Sequence, residues 1–302
     1  MDFKLLVAAC VTLAGSWASP VKRYTPTFSG GSVVAHISSN TIIEASGLCA
    51  SRIHAGVLYT HNDSGDRNRI FAMSTSTGRR LMTIEIDGAH ALDWEDIACG
   101  PCDGTSGHCI YVADTGGNAG GDANTIYKIR EPTDDLIHGN GGTMHVHLES
   151  KLEFSWDQHD CETVMVDNHG EVYVVSKVSA GNHPKLVHLP HSAWGTNHRV
   201  FVNEGVHLPV TTGSYDPVGG DISPDGHEVL LKTYGHVYYW YVPDGDYYKH
   251  MTSAPLALPY TPERQGEAVC FDSQAAGYYT MSEGKGAPLY YYRRTNGAPV
   301  VG

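Results

Sequence analysis

Five short motifs place an acidic residue beside small or apolar neighbours: Ile43-Glu44-Ala45-Ser46-Gly47-Leu48, Trp94-Glu95-Asp96-Ile97-Ala98, Cys161-Glu162-Thr163-Val164, Gly220-Asp221-Ile222-Ser223 and Gly266-Glu267-Ala268-Val269. If Glu44, Glu95, Glu162, Asp221 and Glu267 recur at equivalent places of repeated units, they converge, and converging carboxylates in a partly desolvated space repel one another. A bound cation removes that conflict, and a ring of oxygen donors without sulfur or imidazole favours Ca²⁺ over zinc or copper. The competing reading has each acid accepting hydrogen bonds from backbone N–H groups of the neighbouring unit. A second polar set, His61, Asn62, Asp63, Asp114, Lys177, Lys232 and Glu283, follows β-branched or aromatic runs. Around a bound cation these residues suit metal-assisted hydrolysis of a lactone, phosphate ester or nucleotide. His61 or Asp63 would be the general base, with Asp114, Lys177 and Glu283 as further catalytic candidates. The plainer alternative is that they cap strand ends, and Asp63-Ser64-Gly65-Asp66 is ordinary turn chemistry. No nucleophile elbow, metalloprotease helix motif or phosphate loop occurs in the chain.

The elements that must position these residues are short strands. Successive acids lie 51, 67, 59 and 46 residues apart. Each is followed by a strand-like run, at Val57–Tyr59, Ile110–Val112, Val172–Val175, Val229–Leu231 and Tyr278–Met281. A third run follows in every unit, at Ile70–Met73, Ile126–Ile129, Leu186–Leu189, Val237–Trp240 and Leu289–Tyr292, and a fourth in some, at Leu81–Ile86 and His145–Leu148. Repeats of this length built from about four strands predict an all-β fold, a β-propeller whose first strand in each blade lines the central channel. Residues 19–302 give about 57 residues per blade for five blades and about 47 for the alternative of six. Five motifs favour five. The strand-like Ser32–Ile37 precedes the first motif, and having it complete the last blade removes two exposed sheet edges at once.

The motifs Glu44-Ala45-Ser46-Gly47-Leu48, Thr60-His61-Asn62-Asp63-Ser64-Gly65, Asp93-Trp94-Glu95-Asp96-Ile97-Ala98, Gln265-Gly266-Glu267-Ala268 and Ser282-Glu283-Gly284 resemble those of a family of secreted propeller proteins of bacteria and invertebrates. More distantly, they are similar to the bacterial SdiA-regulated five-bladed propellers. The resemblance covers most of residues 40–292 and implies a five-bladed fold with a central calcium, without a settled activity. One departure is Val112-Ala113-Asp114-Thr115-Gly116-Gly117-Asn118, where the family tends to have Gly-Asp-Ile-Gly-Asp-Asn. Gly117 stands in place of the second acid.

The N-terminus reads as an export signal. Lys4, the apolar run Leu5–Gly15 and Ser16-Trp17-Ala18 match a signal peptide of residues 1–18, which is too short to anchor in a membrane. A flexible segment 19–31 and one propeller domain over 32–302 complete the expected organisation. Six cysteines remain beyond the signal: Cys49, Cys99, Cys102, Cys109, Cys161 and Cys270. An even number in an oxidising compartment predicts up to three disulfides, with Cys102–Cys109 the first expected pair and Cys49–Cys99 the second. Cys99-Gly100-Pro101-Cys102 spells a thioredoxin-like tetrapeptide, but a turn sequence and a third cysteine follow it where that fold opens a helix, so structural bridging is expected.

The chain has 20 Lys+Arg against 33 Asp+Glu, a net charge of −13 that argues against nucleic acid as a partner. No apolar run beyond the N-terminus reaches the roughly 18 residues of a membrane span. The expected protein is therefore a secreted calcium-binding propeller with a binding or matrix-structural role towards an extracellular protein, carbohydrate or mineral surface, the calcium-dependent hydrolase being the alternative. Aromatic stretches such as Tyr238-Tyr239-Trp240-Tyr241 and Tyr290-Tyr291-Tyr292 read mainly as blade packing. Asn62-Asp63-Ser64 is the glycosylation sequon, and a glycan on Asn62 would obstruct the channel mouth. His145 and His147 share one strand face, two imidazoles where zinc requires more ligands.

Overall fold

The computed structural model describes residues 25–102, 106–117, 124–133, 136, 140–210 and 213–297. The expected signal peptide lies outside them.

The protein is a five-bladed β-propeller. Strand β1 (Ser32–His36) comes first in the chain and last in the ring. Blade one is built from β2 (Ala45–Ala50), β3 (Val57–Asn62), β4 (Arg69–Ser74) and β5 (Arg80–Asp87). Blade two begins with β6 (Trp94–Pro101), β7 (His108–Asp114) and β8 (Asn124–Arg130). The chain then turns back, and β9 (Gly142–His147) pairs parallel with the outer edge of blade one before β10 (Ser150–Ser155) completes blade two. This corrects the expectation that His145–Leu148 forms part of the second unit's own fourth strand. Blade three holds β11 (Asp160–Val166), β12 (Val172–Lys177) and β13 (Lys185–Leu189). The next segment, β14 (Val200–Phe201), again reaches back, parallel to β10, before β15 (Gly205–His207) closes blade three. Blade four is β16 (Gly219–Ile222), β17 (Glu228–Lys232), β18 (Val237–Tyr241) and β19 (Leu256–Leu258), with the short helix α1 (Tyr247–Met251) between the last two. Blade five is β20 (Gly266–Phe271), β21 (Gly277–Ser282) and β22 (Pro288–Arg293), and β1 supplies its outer strand, with Ser32 opposite Tyr291 and His36 opposite Pro288.

The ring closes as the sequence predicts, because an unpaired β22 would otherwise leave a row of free N–H and C=O groups. Residues 25–31 are not a loose leader. Phe28 is buried and bridges Arg294, Ser29 N–H donates to the Arg293 carbonyl, and the Arg294 guanidinium lies over the Phe28 ring and pairs with buried Glu228 at 2.7 Å.

Innermost and middle strands are buried on both faces, which is why β2 and β3 carry no exposed residue despite mixed composition. Five apolar wedges fill the gaps between blades. Ile84, Trp94 and Tyr127 lie between blades one and two, Tyr111, Phe154 and Val187 between two and three. Met165, Trp240 and the helix residues Tyr247 and Met251 lie between three and four. The stacked rings of Tyr278 and Tyr292, 4.5 Å apart, lie between four and five, and Leu48, Phe71 and Leu289 between five and one. The aromatic stretches thus serve mainly as packing, as expected.

Two of the three conceivable disulfides form, and both are the expected pairs. Cys49–Cys99 ties the innermost strands of blades one and two, and Cys102–Cys109 spans the β6–β7 hairpin. Cys161 and Cys270 are free, because they are buried in separate wedges, Cys161 between blades two and three and Cys270 between five and one. The inter-blade bridge spans 50 residues, so in the chain-entropy account it contributes about 4 kcal/mol, against about 2 for the short hairpin bridge. Chemical denaturation of Cys49→Ala/Cys99→Ala should show the larger loss. Equal losses for the two double variants would refute this ranking.

Candidate metal centre at the channel mouth

The innermost strands start, and the second strands end, at one face of the disc, so their polar termini gather around one mouth of the channel. Local register decides which side chains point into it. In β6, Trp94 pairs with Asp114 and Asp96 with Ala113, leaving Glu95 as an extra, bulged residue. Glu267 is bulged in the same way in β20, between Gly266 opposite Ser282 and Ala268 opposite Met281. In β11, Glu162 and Thr163 together oppose one residue, and in β2 Ser46 and Gly47 do so. A bulge re-aims the extra side chain, and here it turns Glu95, Glu162 and Glu267 towards the mouth. Strand β16 pairs without a bulge.

Three of the five predicted ring acids therefore converge, and two do not. Counting from the strand-start pairs, Ser46 of blade one and Gly220 of blade four occupy the place held elsewhere by Glu95, Glu162 and Glu267. Glu44 is exposed at the rim, one residue before its strand. Asp221 is buried further along the channel, where it accepts the Phe271 N–H of blade five at 2.9 Å. Burial pushes its pKa up to about 7, opposed by the Arg52 cation and by backbone N–H groups. Asp221 thus fulfils the competing reading, an inter-blade staple, as does Asp96, whose Oδ2 accepts the Val164 N–H of blade three at 2.9 Å.

The carboxylates that do meet form three overlapping triads, each with potential ligand atoms within 4.8 Å of one another: Asp63–Glu267–Glu283, Asp63–Asp93–Glu95 and Glu95–Asp160–Glu162. Asp63 and Glu95 are shared, so the arc runs without a break from blade five through blades one and two to blade three. Among the described residues, Lys177 is the cation inside this arc, with its ammonium on Glu162 Oε1. Glu162 Oε2 is buried with no hydrogen-bond partner. Tyr234 donates its hydroxyl proton to Glu267 Oε1 at 2.6 Å.

The electrostatics follow from crowding. Burial, then the charges of Glu162, Asp63, Asp93 and Asp160, push Glu95 far above the usual carboxylate range. Burial, with Glu267 and Asp93 adding to it, pushes Asp63 up to about 6, against the pull of the Ser64 N–H and Lys177. Glu162 is raised by burial despite Lys177, and Glu283 by burial and Glu267. Seven carboxylates around one ammonium cannot all ionise at neutral pH without another positive charge.

The remaining candidates have other duties. His61 is fully buried with its ring edge-on to Trp94 at 6.0 Å, and burial holds its pKa down at about 4, so it cannot reach a substrate at the mouth. Asp114 accepts the N–H groups of Leu92 and Asp93 and thereby fixes the approach to Asp93. Lys232 is buried among carbonyls and Tyr260. Asn62 is 5% exposed. Its Oδ1 accepts the Ile43 and Glu44 N–H groups, and its Nδ2 donates to Thr41 O and Asp66 Oδ2. Both Nδ2 protons are engaged, so a glycan on that nitrogen would displace one of these bonds. At Gly117, where the expected pattern has an acid, the backbone N–H instead donates to Asp160 Oδ1 at 2.9 Å.

Asp93 and Asp160 were not predicted as site residues. Their signal was present as the repeated Asp-x-Glu of Asp93-Trp94-Glu95 and Asp160-Cys161-Glu162, an acid two residues before each of these glutamates.

Fold and site together define a five-bladed propeller with a carboxylate-lined channel mouth. No protein-family model and no curated protein sequence matches the chain. Among solved structures it is similar to the PQQ-bound aldose sugar dehydrogenase of Streptomyces coelicolor, at 12% identity and a TM-score of 0.50 over 89% of this chain and 100% of that one. It is also similar to a gluconolactonase of Xanthomonas campestris, at 13% identity and a TM-score of 0.48 over 94% and 99%. At 12% identity the likeness to the dehydrogenase is one of fold. No helix among the described residues is long and apolar enough to cross a membrane.

Proposed function

We propose that the chain is a secreted, calcium-binding propeller with a binding or matrix-structural role, holding Ca²⁺ at the channel mouth and meeting an oxygen-rich extracellular ligand there. The observation that carries this reading is the unbroken arc of carboxylates, with the buried Glu162 Oε2 lacking any partner inside it. The donor set fits a hard cation, since every member of the three triads offers carboxylate oxygen. Glu95, Asp160 and Glu162, the triad that contains the unpartnered oxygen, would hold the ion, with Asp63, Asp93, Glu267 and Glu283 completing the acidic surroundings.

Beside the arc lies an open cavity of about 610 Å³, lined by His159, Lys177, Asn182, His183, His207 and Tyr215 among others. Its polar lining and the exposed Tyr215 ring suit a hydroxyl- or carboxylate-bearing partner, such as a carbohydrate or an acidic protein surface. The same cavity favours a second reading, calcium-dependent hydrolysis. In that reading a cation on the neighbouring arc would supply Lewis acidity, Asp63 of the arc would take a proton from water, and Lys177, which lines the cavity, would hold an anionic oxygen.

Calorimetric titration with Ca²⁺ separates these readings when combined with a turnover screen of lactones, nucleotides and phosphate esters. Saturable binding, weakened at least tenfold by Glu162→Gln and without turnover, is the expected result. Absence of calcium binding would overturn both readings. Calcium-dependent turnover abolished by Asp63→Asn would replace the binding role with the hydrolase.

A further inference from the structure

Lys177 ends β12 on the border between the carboxylate arc and the open cavity that it lines with His183, His207 and Tyr215. Its side chain is 12% exposed, and its ammonium donates one N–H to Glu162 Oε1. An ammonium carries three such donors, and the other two have no acceptor among the described residues. A largely buried cation with unmade hydrogen bonds at a cavity wall is a site for an anionic oxygen.

Three further groups in the cavity define what carries that oxygen. The Tyr215 residue is 45% exposed, and its ring centroid lies 5.6 Å from the ammonium, so an apolar platform stands beside the cation. The two imidazoles have their tautomers set by the backbone. His183 Nδ1 faces the Val210 carbonyl at 3.3 Å, and His207 Nδ1 faces the His183 carbonyl at 3.2 Å. A carbonyl can only accept, so each Nδ1 carries the proton and Nε2 of the neutral ring is left as an acceptor. Asp157, the carboxylate among the lining residues, is held by Lys185 at 2.9 and 3.0 Å and does not compete for Lys177.

The cavity thus combines one cationic donor, an aromatic surface and two acceptors for hydroxyl protons. A neutral sugar would leave the ammonium unsatisfied, and an acidic peptide side chain brings no hydroxyls to the imidazoles. A pyranose ring bearing a carboxylate supplies the charge, the C–H face and the hydroxyls together. The volume of about 610 Å³ lies within the roughly 300–1,000 Å³ of small-ligand sites. We propose that this cavity binds a hexuronate, with its carboxylate on Lys177, its ring against Tyr215 and its hydroxyls donating to Nε2 of His183 and His207. The proposal rests on the binding role given above to this mouth and names the class of its ligand. A cation on the neighbouring triad offsets the negative charge that would otherwise repel a carboxylate, so uronate and calcium should strengthen one another's binding.

The test is calorimetric titration of the purified protein with glucuronate, galacturonate, mannuronate and guluronate, as monosaccharides and as trisaccharides, in saturating Ca²⁺ and again in EDTA. The neutral hexose counterparts and polyglutamate are the controls. At least one uronate is expected to bind about tenfold or more tighter than its neutral counterpart, as the loss of a charge-assisted hydrogen bond implies. Tighter binding of the trisaccharide would mark a glycan chain as the source, and equal binding a free sugar acid. Lys177→Met should bring the uronate down to the affinity of the neutral sugar. Tyr215→Ala should weaken it about threefold to tenfold, and Tyr215→Phe, which keeps the ring, should restore it. Circular dichroism of each variant verifies the fold. Calcium titration without sugar reads the arc by itself. Calcium binding with no uronate binding would overturn this proposal and leave the calcium reading standing, and uronate binding with no calcium binding would do the reverse. A preference for neutral sugars, tighter binding of polyglutamate, or a uronate affinity unmoved by Lys177→Met or Tyr215→Ala would also overturn it.

Discussion

Chelation with EDTA is expected to lower the melting temperature by about 5–10 °C. A ligand present at a hundred times its dissociation constant stabilises the folded state by about 2.7 kcal/mol, and in a chain of this size each kcal/mol moves the transition by roughly 2–4 °C. The sign of one substitution makes the experiment decisive. With calcium present, Glu95→Gln removes a ligand shared by two triads and should melt earlier than the parent. In EDTA the same change removes a buried carboxylate that its neighbours repel, so the variant should be at least as stable as the parent. A parent melting curve indifferent to EDTA, or Glu95→Gln destabilising by the same amount in both buffers, would remove the cation from the account.

Lys232→Ala is expected to cost about 3–5 kcal/mol, because removing one member of a buried ion pair strands the other. The Lys232 ammonium is fully buried between blades four and five. It donates to the Gly266 carbonyl at 2.6 Å and to the Tyr260 hydroxyl at 2.9 Å, and it lies 3.8 Å from a Glu263 carboxylate that is 1% exposed. Lys232→Met together with Glu263→Gln keeps the stem packing without an orphaned charge and should recover most of the loss. Denaturant titration of the single and double variants measures the coupling, and additive losses would refute it. The pair also has a pH signature. Burial lowers the Lys232 pKa to about 8 from an ordinary 10.5, so between these values the unfolded chain binds more protons at this site than the folded one. The stability of the parent relative to Lys232→Met should therefore rise with pH across that window, the penalty being full below about 8 and relieved near 10.5. The opposite slope would mean that the folded state raises this pKa.

Blade number, ring closure and all second and third strands were legible in the sequence, because β-branched and aromatic runs recur at regular spacing and each blade must bury its middle strands. The hairpin disulfide Cys102–Cys109 was legible from loop chemistry, whereas Cys49–Cys99, the second expected pair, joins strands of two blades and has no loop signal. The metal centre was only half legible. Aligning Glu44 and Asp221 with Glu95 assumes uniform register, and in strands a single-residue offset turns a side chain to the other face. Bulges at Glu95 and Glu267, and the absence of one in β16, set that offset, and a bulge leaves no composition signal. His61 was misplaced for a related reason. Its neighbours Asn62 and Asp63 end the strand at the mouth, whereas alternation sends the imidazole between blades against Trp94. The backward excursions of β9 and β14 were invisible because their partners lie in the preceding blade, where no local propensity points.

The closure of the ring through β1 also sets a clock for biosynthesis. Ser32 and its partner Tyr291 are about 260 residues apart, which at translation rates of roughly 5–20 residues per second is some 10–50 seconds. For that interval the first strand to emerge has no partner, and blade one lacks its neighbour on one side. The N-terminal segment must therefore remain soluble in its own right, and it is suited to waiting: β1 is short, exposes His36 and carries only one buried residue, Ala35. The last blade, by contrast, can dock as soon as it appears, so the ring closes only once β22 has emerged.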